Sequence, residues 1–305
     1  MRGFELVKAG IYTTIQDKGR FSFMHLGVTN SGFMDEYSAN ACNKLLDNNL
    51  ETNLLEILFA GVVIKAHQST TIAITGAKCD FYINGILKNC WETHKVRVGD
   101  ELKIGKFHEG QRVYLGVKNG FNIEKEFGSN ATSMKEGFGG LDGSKLKNND
   151  ILAFEENSSF VKRRWKEAFI PKYEKELTLR VLLSYQCDDF EKEQVEKFFS
   201  SVYTITPDFN SMACKLDGEP IECTISNLVS EAIAFGSIQI PKDGKPIVLL
   251  KERQTIGGYP KIGTVLNIDC FKLAQMKPGS KIRFEKIEVK EAREKVLDFL
   301  EAFSF

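Results

Sequence analysis

Residues 80–88, Asp-Phe-Tyr-Ile-Asn-Gly-Ile-Leu-Lys, set the dipeptide Asn84-Gly85 between apolar residues. Asn-Gly tolerates the positive φ angles of a two-residue reversal, so the segment predicts a β-hairpin. Just upstream, Thr71-Ile-Ala-Ile-Thr75 alternates with a period of two and stops at Gly76, the pattern of a strand. Downstream, Gly99-Asp100 lies between Val96-Arg-Val98 and Leu102-Lys-Ile104, and Asn119-Gly120 follows Val113-Tyr-Leu-Gly-Val117. Each predicts a further hairpin. Closely spaced strands with tight turns favour a barrel or sandwich. One helix interrupts them: after the turn Ser31-Gly32, Met34, Tyr37, Ala41 and Leu45 recur at three-to-four-residue spacing until Asp47-Asn48-Asn49 supplies a stop.

Between about residues 153 and 176 the chain turns polar, through Glu155-Glu-Asn-Ser-Ser159 and Lys162-Arg-Arg164 to Pro171-Lys172. This marks a boundary, and 305 residues exceed what one core usually organises. Two domains are expected, 1–160 and 175–305. The second opens with a strand, Leu177–Leu183, and an amphipathic helix, Phe190–Phe199. Ser237–Ile240 and Pro246–Leu250 then flank Pro241-Lys-Asp-Gly244, where proline pre-sets φ and glycine permits the reversal of another hairpin. A last helix carries Val289, Ala292, Val296, Phe299, Leu300 and Phe303 on one stripe, suited to docking within the chain. The fold class is therefore mainly β with a few helices. No short repeat or low-complexity tract is present, which disfavours solenoids and propellers.

Apolar residues make up 42% of the chain, ample for two cores. The 41 basic and 41 acidic residues cancel, so no net field steers the protein to nucleic acid or to anionic membranes. The opening MRGFELVKAGIYTT has no continuous apolar run of an export signal, and no later stretch approaches the ~20 apolar residues of a membrane span. A soluble, cytoplasmic protein is expected. Cys42, Cys79, Cys90, Cys187, Cys214, Cys223 and Cys270 are odd in number and lack a C-x-x-C pair, so reduced and mostly buried thiols are expected. His25, His67, His94 and His108 are equally dispersed, and no metal site is predicted.

Gly137-Phe-Gly-Gly-Leu-Asp-Gly-Ser-Lys145 looks like a phosphate loop, but its lysine does not directly follow a glycine, so it reads as a flexible loop. There is no G-x-S-x-G elbow and no H-E-x-x-H zinc helix. Two segments do combine polar side chains with glycines as small-molecule sites do. In Thr13–Arg20 and Gly27–Asp35, Gln16, Asp17 and Arg20 suit a carboxylate or amide, and Asp35 suits an acid, a base or a helix cap. The bland alternative is a turn salt bridge between Asp17 and Arg20, with Asp35 only capping its helix. In Gln254–Lys261, Gln254 and Tyr259 can hydrogen-bond an amide, while Gly257-Gly258 either brings backbone N–H groups to a ligand or makes a hairpin or bulge.

These segments resemble the allophanate hydrolase subunit 2 family, also called the biotin-dependent carboxyltransferase family. The likeness runs through TTIQDKGR (13–20), LGVTNSGFMD (26–35), the helix bearing Asn40 and Asn43, and LLEILFAG (54–61). It continues through GSIQIPKDGKPIVLLKERQTIGGYPKIGTV (236–265) and LAQMKPGSKIRF (273–284). The resemblance implies two cyclophilin-like β-barrel domains in tandem. It also implies a subunit, inactive alone, of an ATP-dependent 5-oxoprolinase that opens pyroglutamate to glutamate. Its partners would be a subunit 1 homologue (the 5-oxoprolinase component designated B, or KipI-like) and a LamB/YcsF-type component designated A, with ATP and Mg acting in the complex. Alternatives are a carboxyltransferase acting on urea, which needs biotin on a separate partner, and a KipA-like regulator that binds a subunit 1 homologue.

Under this resemblance the catalytic candidates are Asp35, Asp17 and Tyr259, with Asp35 as acid or base. The substrate-binding candidates are Gln16, Arg20, Asn40, Gln239, Gln254, Thr255, Gly257 and Gly258. Arg20 would anchor a carboxylate, and the Gly257-Gly258 amides would stabilise an oxyanion. The chain departs from the family where it has Asn130 and Ser211 in place of arginines, Lys215 for the second arginine of an R-M-G-x-R-L-x-G stretch and Glu252 for an aspartate.

Overall fold

In the computed structural model, which describes residues 2–224 and 228–303, the alternating segments of the first half become one nine-stranded sheet. Its strands are β1 (Phe4–Ala9), β2 (Tyr12–Gln16), β3 (Leu54–Leu58), β4 (Val62–Ala66), β5 (Thr70–Ile83), β6 (Ile86–Lys88), β7 (Glu92–Val96), β8 (Glu101–Val117) and β9 (Ile151–Leu152), with helix α1 (Glu36–Leu46) between β2 and β3. The path β2-β3-β8-β4-β1-β9 is extended by β5, which pairs with β6, β7 and β8. The long strands β5 and β8 lose register three times between Gly76 and Phe81. Each bulge bends the pair, and the sheet curls into a half-barrel. At Gly76 (φ 93°) a Cβ would lie 2.4 Å from the Arg112 carbonyl oxygen, so only glycine fits there.

The curled sheet buries both faces. Phe4, Leu6, Ile15, Ile57, Ile64 and Ile72 fill the inside of the curl. On the other face Ala39, Cys42, Leu45 and Leu46 of α1 pack against Phe33, Leu54, Ala73 and Tyr114. Truncating one such leucine to alanine destabilises by about 2–5 kcal/mol. Asp35 caps the start of α1, accepting from the Ser38 N–H at 3.1 Å, and Asp47 ends it in the left-handed region (φ 57°).

The hairpin at Asn84-Gly85 forms as expected, with Ile83 opposite Ile86 and both turn residues at positive φ. The other two first-half turns form without hairpins. At Gly99-Asp100 the chain reverses, but β7 and β8 do not pair with each other: both use β5, where Ile72 faces His94 on one side and Val117 on the other. At Asn119-Gly120 the reversal is followed by no return strand. The Phe121 N–H donates to Asn53 Oδ1 and the Asn122 N–H to the Ala153 carbonyl. The stretch 137–145, read as a flexible loop, is instead tightly folded. Gly137, Gly140 and Gly143 donate to the carbonyls of Ser133, Asn130 and Gly139.

The chain separates into two units, one made by the residues up to Phe21 with Ser31–Tyr173, the other by Ser22–Asn30 with everything from Glu174 onward. The second unit holds β10 (Glu176–Leu183), α2 (Lys192–Ser200), β11 (Tyr203–Phe209), β12 (Ala213–Asp217), β13 (Glu231–Ala232), β14 (Ser237–Gln239), β15 (Ile247–Leu249), β16 (Ile256–Gly257), β17 (Lys261–Val265), α3 (Asn267–Leu273), β18 (Lys281–Lys286) and α4 (Val289–Ala302). Seven strands close into a barrel in the order β10-β17-β14-β15-β12-β11-β18, sealed by the parallel pair β10 and β18. The Pro241–Gly244 reversal joins β14 to β15 as predicted, with Ile238 opposite Val248. A two-residue ladder, β13 with β16, lies outside the barrel strands.

Helices brace this barrel. Phe198 of α2 stacks on Phe284 of β18 at 4.4 Å between ring centroids. Asp269 of α3, buried, receives the Arg180 guanidinium from β10 in a two-pronged pair of 2.6 and 2.8 Å. On α4 the stripe docks only in part. Ala292 and Phe303 are buried and Phe299 meets Phe271, whereas Val289 and Leu300 stay exposed. Leu300 falls one position off the 292–296–299–303 line that faces inward. No helix among the described residues is long and apolar enough to cross a membrane. All seven cysteines are free thiols, with Cys42, Cys187, Cys214 and Cys270 buried.

Candidate functional site

The first polar segment turns inward. Gln16, Asp17, Arg20 and Asp35 are all at least nine-tenths buried, and Asn40 on α1 is half-buried. Asp17 accepts at one oxygen from the Ser129 hydroxyl (2.6 Å) and the Gly19 N–H (2.8 Å), and at the other from the Asn130 N–H (2.7 Å). Gln16 accepts from the Gly32 N–H and donates to the Thr132 carbonyl. Arg20 donates to the Glu126 and Ala131 carbonyls and lies 4.6 Å over the Phe138 ring. These side chains therefore clamp the 126–140 loops and the 31–33 turn to the end of β2. Arg20, the expected carboxylate anchor, is engaged in that clamp.

Asp35 belongs to a second buried network. One of its oxygens accepts from the Ser38 hydroxyl (2.6 Å), and the Tyr173 hydroxyl lies 3.4 Å away. Its own N–H donates to the Tyr114 hydroxyl, which donates in turn to Glu56. Glu56 also accepts from the Met34 N–H, with Arg112 at 3.5 Å. Burial pushes the Glu56 carboxyl above the usual range, against the opposing pull of Arg112. Burial likewise holds the Tyr114 hydroxyl well above its ordinary value, with Glu56 adding to it. The sequence reading missed Glu56, although a lone carboxylate inside the apolar run Leu54-Leu-Glu-Ile-Leu58 is a legible signal of a buried polar network.

The second polar segment is arranged differently. Gln239, on β14, is 1% exposed, and its Nε2 has no hydrogen-bond partner among the described residues. Its Oε1 meets Gln254 Nε2 only at 3.5 Å. Gly257 lies against both amides: a Cβ there would sit 2.8 Å from Gln239 Nε2, 3.5 Å from Gln254 Nε2 and 2.6 Å from Ile233. Glycine at 257 is thus set by close approach, not by a left-handed turn. Thr255, half-buried, accepts at its carbonyl from the Ile233 N–H. Gly258 and the exposed Tyr259 line an open cleft of about 620 Å³ with Ile221, Cys223, Pro241 and Gly244. Ile240, next in chain to Gln239, lines it too.

Around this centre the barrel gathers residues that the sequence reading did not single out. Lys261, buried at the start of β17, donates to Glu231 at 2.6 Å, and its N–H donates to Gln186 Oε1 at 2.8 Å. Tyr185 and Gln186 also donate to Glu231. Lys261, and after it Tyr185, hold the Glu231 carboxyl below its ordinary range. Arg253 fixes the segment from below: it donates to the Ile233 and Leu250 carbonyls and to Asn30 Oδ1. Burial lowers its guanidinium to about 10.

The departures from the family pattern have local partners. Asn130 hydrogen-bonds Asp17, Asn53 and the Ile123 carbonyl. Ser211 donates to Glu252 at 2.5 Å, so the longer carboxylate reaches the shorter partner. Lys215 pairs with Asp208 on the surface. Among the described residues no three His, Cys, Asp or Glu side chains converge as a metal would require.

Residues 26–286 match the carboxyltransferase domain, subdomain A and B, family. The chain is 30% identical to the 5-oxoprolinase subunit designated C of Escherichia coli, over 94% of this chain and 92% of that one. It is 30% identical to urea amidolyase of Lachancea kluyveri over 95% of its length, which is 17% of that larger protein. The crystal structure of the Kluyveromyces lactis urea amidolyase superposes on 99% of the chain with a TM-score of 0.91 and 25% identity, and the matched part is a fifth of that protein.

Proposed function

The chain belongs to the carboxyltransferase domain A and B family, and from that premise we propose that it is the subunit of a 5-oxoprolinase that recognises the lactam of 5-oxo-L-proline. The observation that carries the reading is the Gln239 amide, buried against Gly257 and beside Gln254, with its nitrogen unpartnered among the described residues. A lactam presents a carbonyl that accepts and an N–H that donates, and two carboxamides can meet both. In this reading Gln239 and Gln254 orient the ring, the Gly257-Gly258 backbone faces the reacting carbonyl, and Tyr259 borders the entrance through the cleft. Asp35, Asp17, Gln16, Arg20 and Asn40 act by holding the first unit's loops in shape.

ATP would supply the activation of a resonance-stabilised amide. The glycine stretch 137–145 does not suit its phosphates, because the Gly139 N–H already donates to the Glu126 carboxylate and its neighbours to backbone carbonyls. We assign ATP and Mg to the partners, a subunit 1 homologue and a LamB/YcsF-type protein, in a cytoplasmic complex. Co-expression of the three chains tests this through ATP-dependent release of glutamate from pyroglutamate. Release that vanishes when this chain is omitted is expected; release without it would overturn the reading.

A second reading, carboxyl transfer to urea from a biotinylated partner, is favoured by the superposition of 99% of this chain on a fifth of urea amidolyase. It predicts bicarbonate-dependent carboxylation of urea and no glutamate release.

A further inference from the structure

We infer that Lys261 is the residue that carries the substrate's negative charge, with Gln239 donating beside it. The inference rests on the lactam reading above and names the group that selects an acidic lactam over a neutral one. The β14–β17 register shifts between Ile238 and Gln239, and beyond the shift Gln239 falls opposite Lys261. Gly257 links the two side chains: a Cβ on it would sit 2.8 Å from Gln239 Nε2, and it pairs across β13–β16 with Glu231, whose carboxylate holds the Lys261 ammonium.

The donors there outnumber the acceptors. Lys261 has three N–H groups on Nζ, and Glu231 takes one at 2.6 Å. Gln239 Nε2 adds two that meet no acceptor among the described residues. Leaving such a buried group unpaired is destabilising, and an arriving acceptor would recover that loss. A carboxylate supplies two oxygens and the opposite charge, and exclusion of water strengthens its attraction to an ammonium. Of the other buried cations, Arg20 gives its Nε and Nη2 to the Glu126 and Ala131 carbonyls, Arg253 donates to those of Ile233 and Leu250, and Lys251 lies over the Phe235 ring.

A lysine needed only for an ion pair is well served at the surface, as Lys245 is with Asp217. Burying Lys261 next to an unsatisfied amide gains the fold nothing. Glu231, whose side chain is 34% exposed, is then the resident counter-ion, retained by Tyr185 and Gln186 when the ligand carboxylate arrives.

The test is calorimetric titration of the full-length chain with L-pyroglutamate and with 2-pyrrolidinone, the same ring without the carboxylate. The wild-type chain should prefer the acid by about tenfold or more, and Lys261→Met should abolish the preference while leaving 2-pyrrolidinone binding unchanged. Lys261→Arg should keep it, and Glu231→Gln, which removes the competing anion, should tighten binding of the acid. A Lys261→Met chain that still prefers the acid overturns the inference. So does equal loss of both lactams, or a wild-type chain that binds neither. Glutamate release by the three-chain complex together with an unchanged preference in Lys261→Met would sink the anchor alone. Charge-selective binding without turnover would sink only the lactamase reading.

Discussion

The segments Gln16–Asp35 and Gln239–Lys261 both combine glutamine, charged residues and glycine, yet they spend their hydrogen bonds in different ways. In the first, each oxygen of Asp17 has a donor, Gln16 bridges two loops, and Asp35 caps a helix. In the second, a buried amide nitrogen has no acceptor among the described residues, and Lys261 falls opposite Gln239 across a register shift. The first cluster is satisfied at its carboxylates and its amide, with the Ser31 hydroxyl left without a hydrogen-bond partner among the described residues, whereas the second leaves a side-chain amide nitrogen as capacity for a ligand. The comparison predicts that damage in the first region appears as lost stability and damage in the second as lost activity.

The largest effect should come from Asp17→Ala, which leaves the Ser129, Gly19 and Asn130 donors without their acceptor. Urea unfolding should show a loss of about 3–5 kcal/mol. A loss under about 1 kcal/mol would mean that the first region is not the clamp described above. Next is Gln239→Leu. Removing an already unpaired amide should change stability by less than about 1 kcal/mol, while kcat/KM of the reconstituted complex falls about 100-fold or more. A variant that unfolds early but turns over normally would erase the contrast between the regions.

Much of the contrast lay outside what the sequence could reveal. The turns at Asn84-Gly85 and Pro241–Gly244 were legible because their chemistry is local and the strands they join are neighbours. The turns at Gly99 and Asn119 were equally legible, but their hairpins did not form, since β5 offers both of its edges to strands that a local reading would pair with each other. Lys261, Glu231 and Gln186 escaped notice because only tertiary pairing assembles them: Glu231 pairs with Gly257 in the ladder outside the barrel, and Lys261 falls opposite Gln239 at a register shift. Glycine, glutamine and aspartate in a row announce a polar site. Whether their hydrogen bonds are already filled depends on distant residues such as Ser129 and Thr132.

A smaller effect distinguishes the two roles open to Asp35. Asparagine keeps the capping oxygen but cannot exchange a proton, and alanine loses both. As a cap, Asp35→Ala should lose about 1 kcal/mol, and Asp35→Asn should retain most stability and near-normal turnover. A collapse of kcat in Asp35→Asn, with the complex assembled, would instead make Asp35 the acid or base and move chemistry into the first region.

The smallest signal is a slope and not a midpoint, and it asks whether the first region is as dry as its hydrogen bonds imply. Burial raises the Glu56 carboxyl in the folded chain, and Arg112, the Met34 N–H and Tyr114 offset this only in part. In the unfolded chain the same group titrates near about 4.3. Between that value and the raised native one, the folded state holds the extra proton. Its contribution is therefore present in full below the unfolded pKa and is lost as pH rises through the native pKa. Glu56→Gln retains an acceptor for Tyr114 and the Met34 N–H but cannot titrate. The stability of the wild type relative to Glu56→Gln should thus decline as pH is raised through this window, followed by urea unfolding from about pH 4 to pH 8. A difference that stays flat would mean that Glu56 titrates alike in the folded and unfolded chains, as a carboxylate open to water would. The first region would then resemble the second in having solvent or ligand access, and the division of labour drawn between them would fail at its buried end.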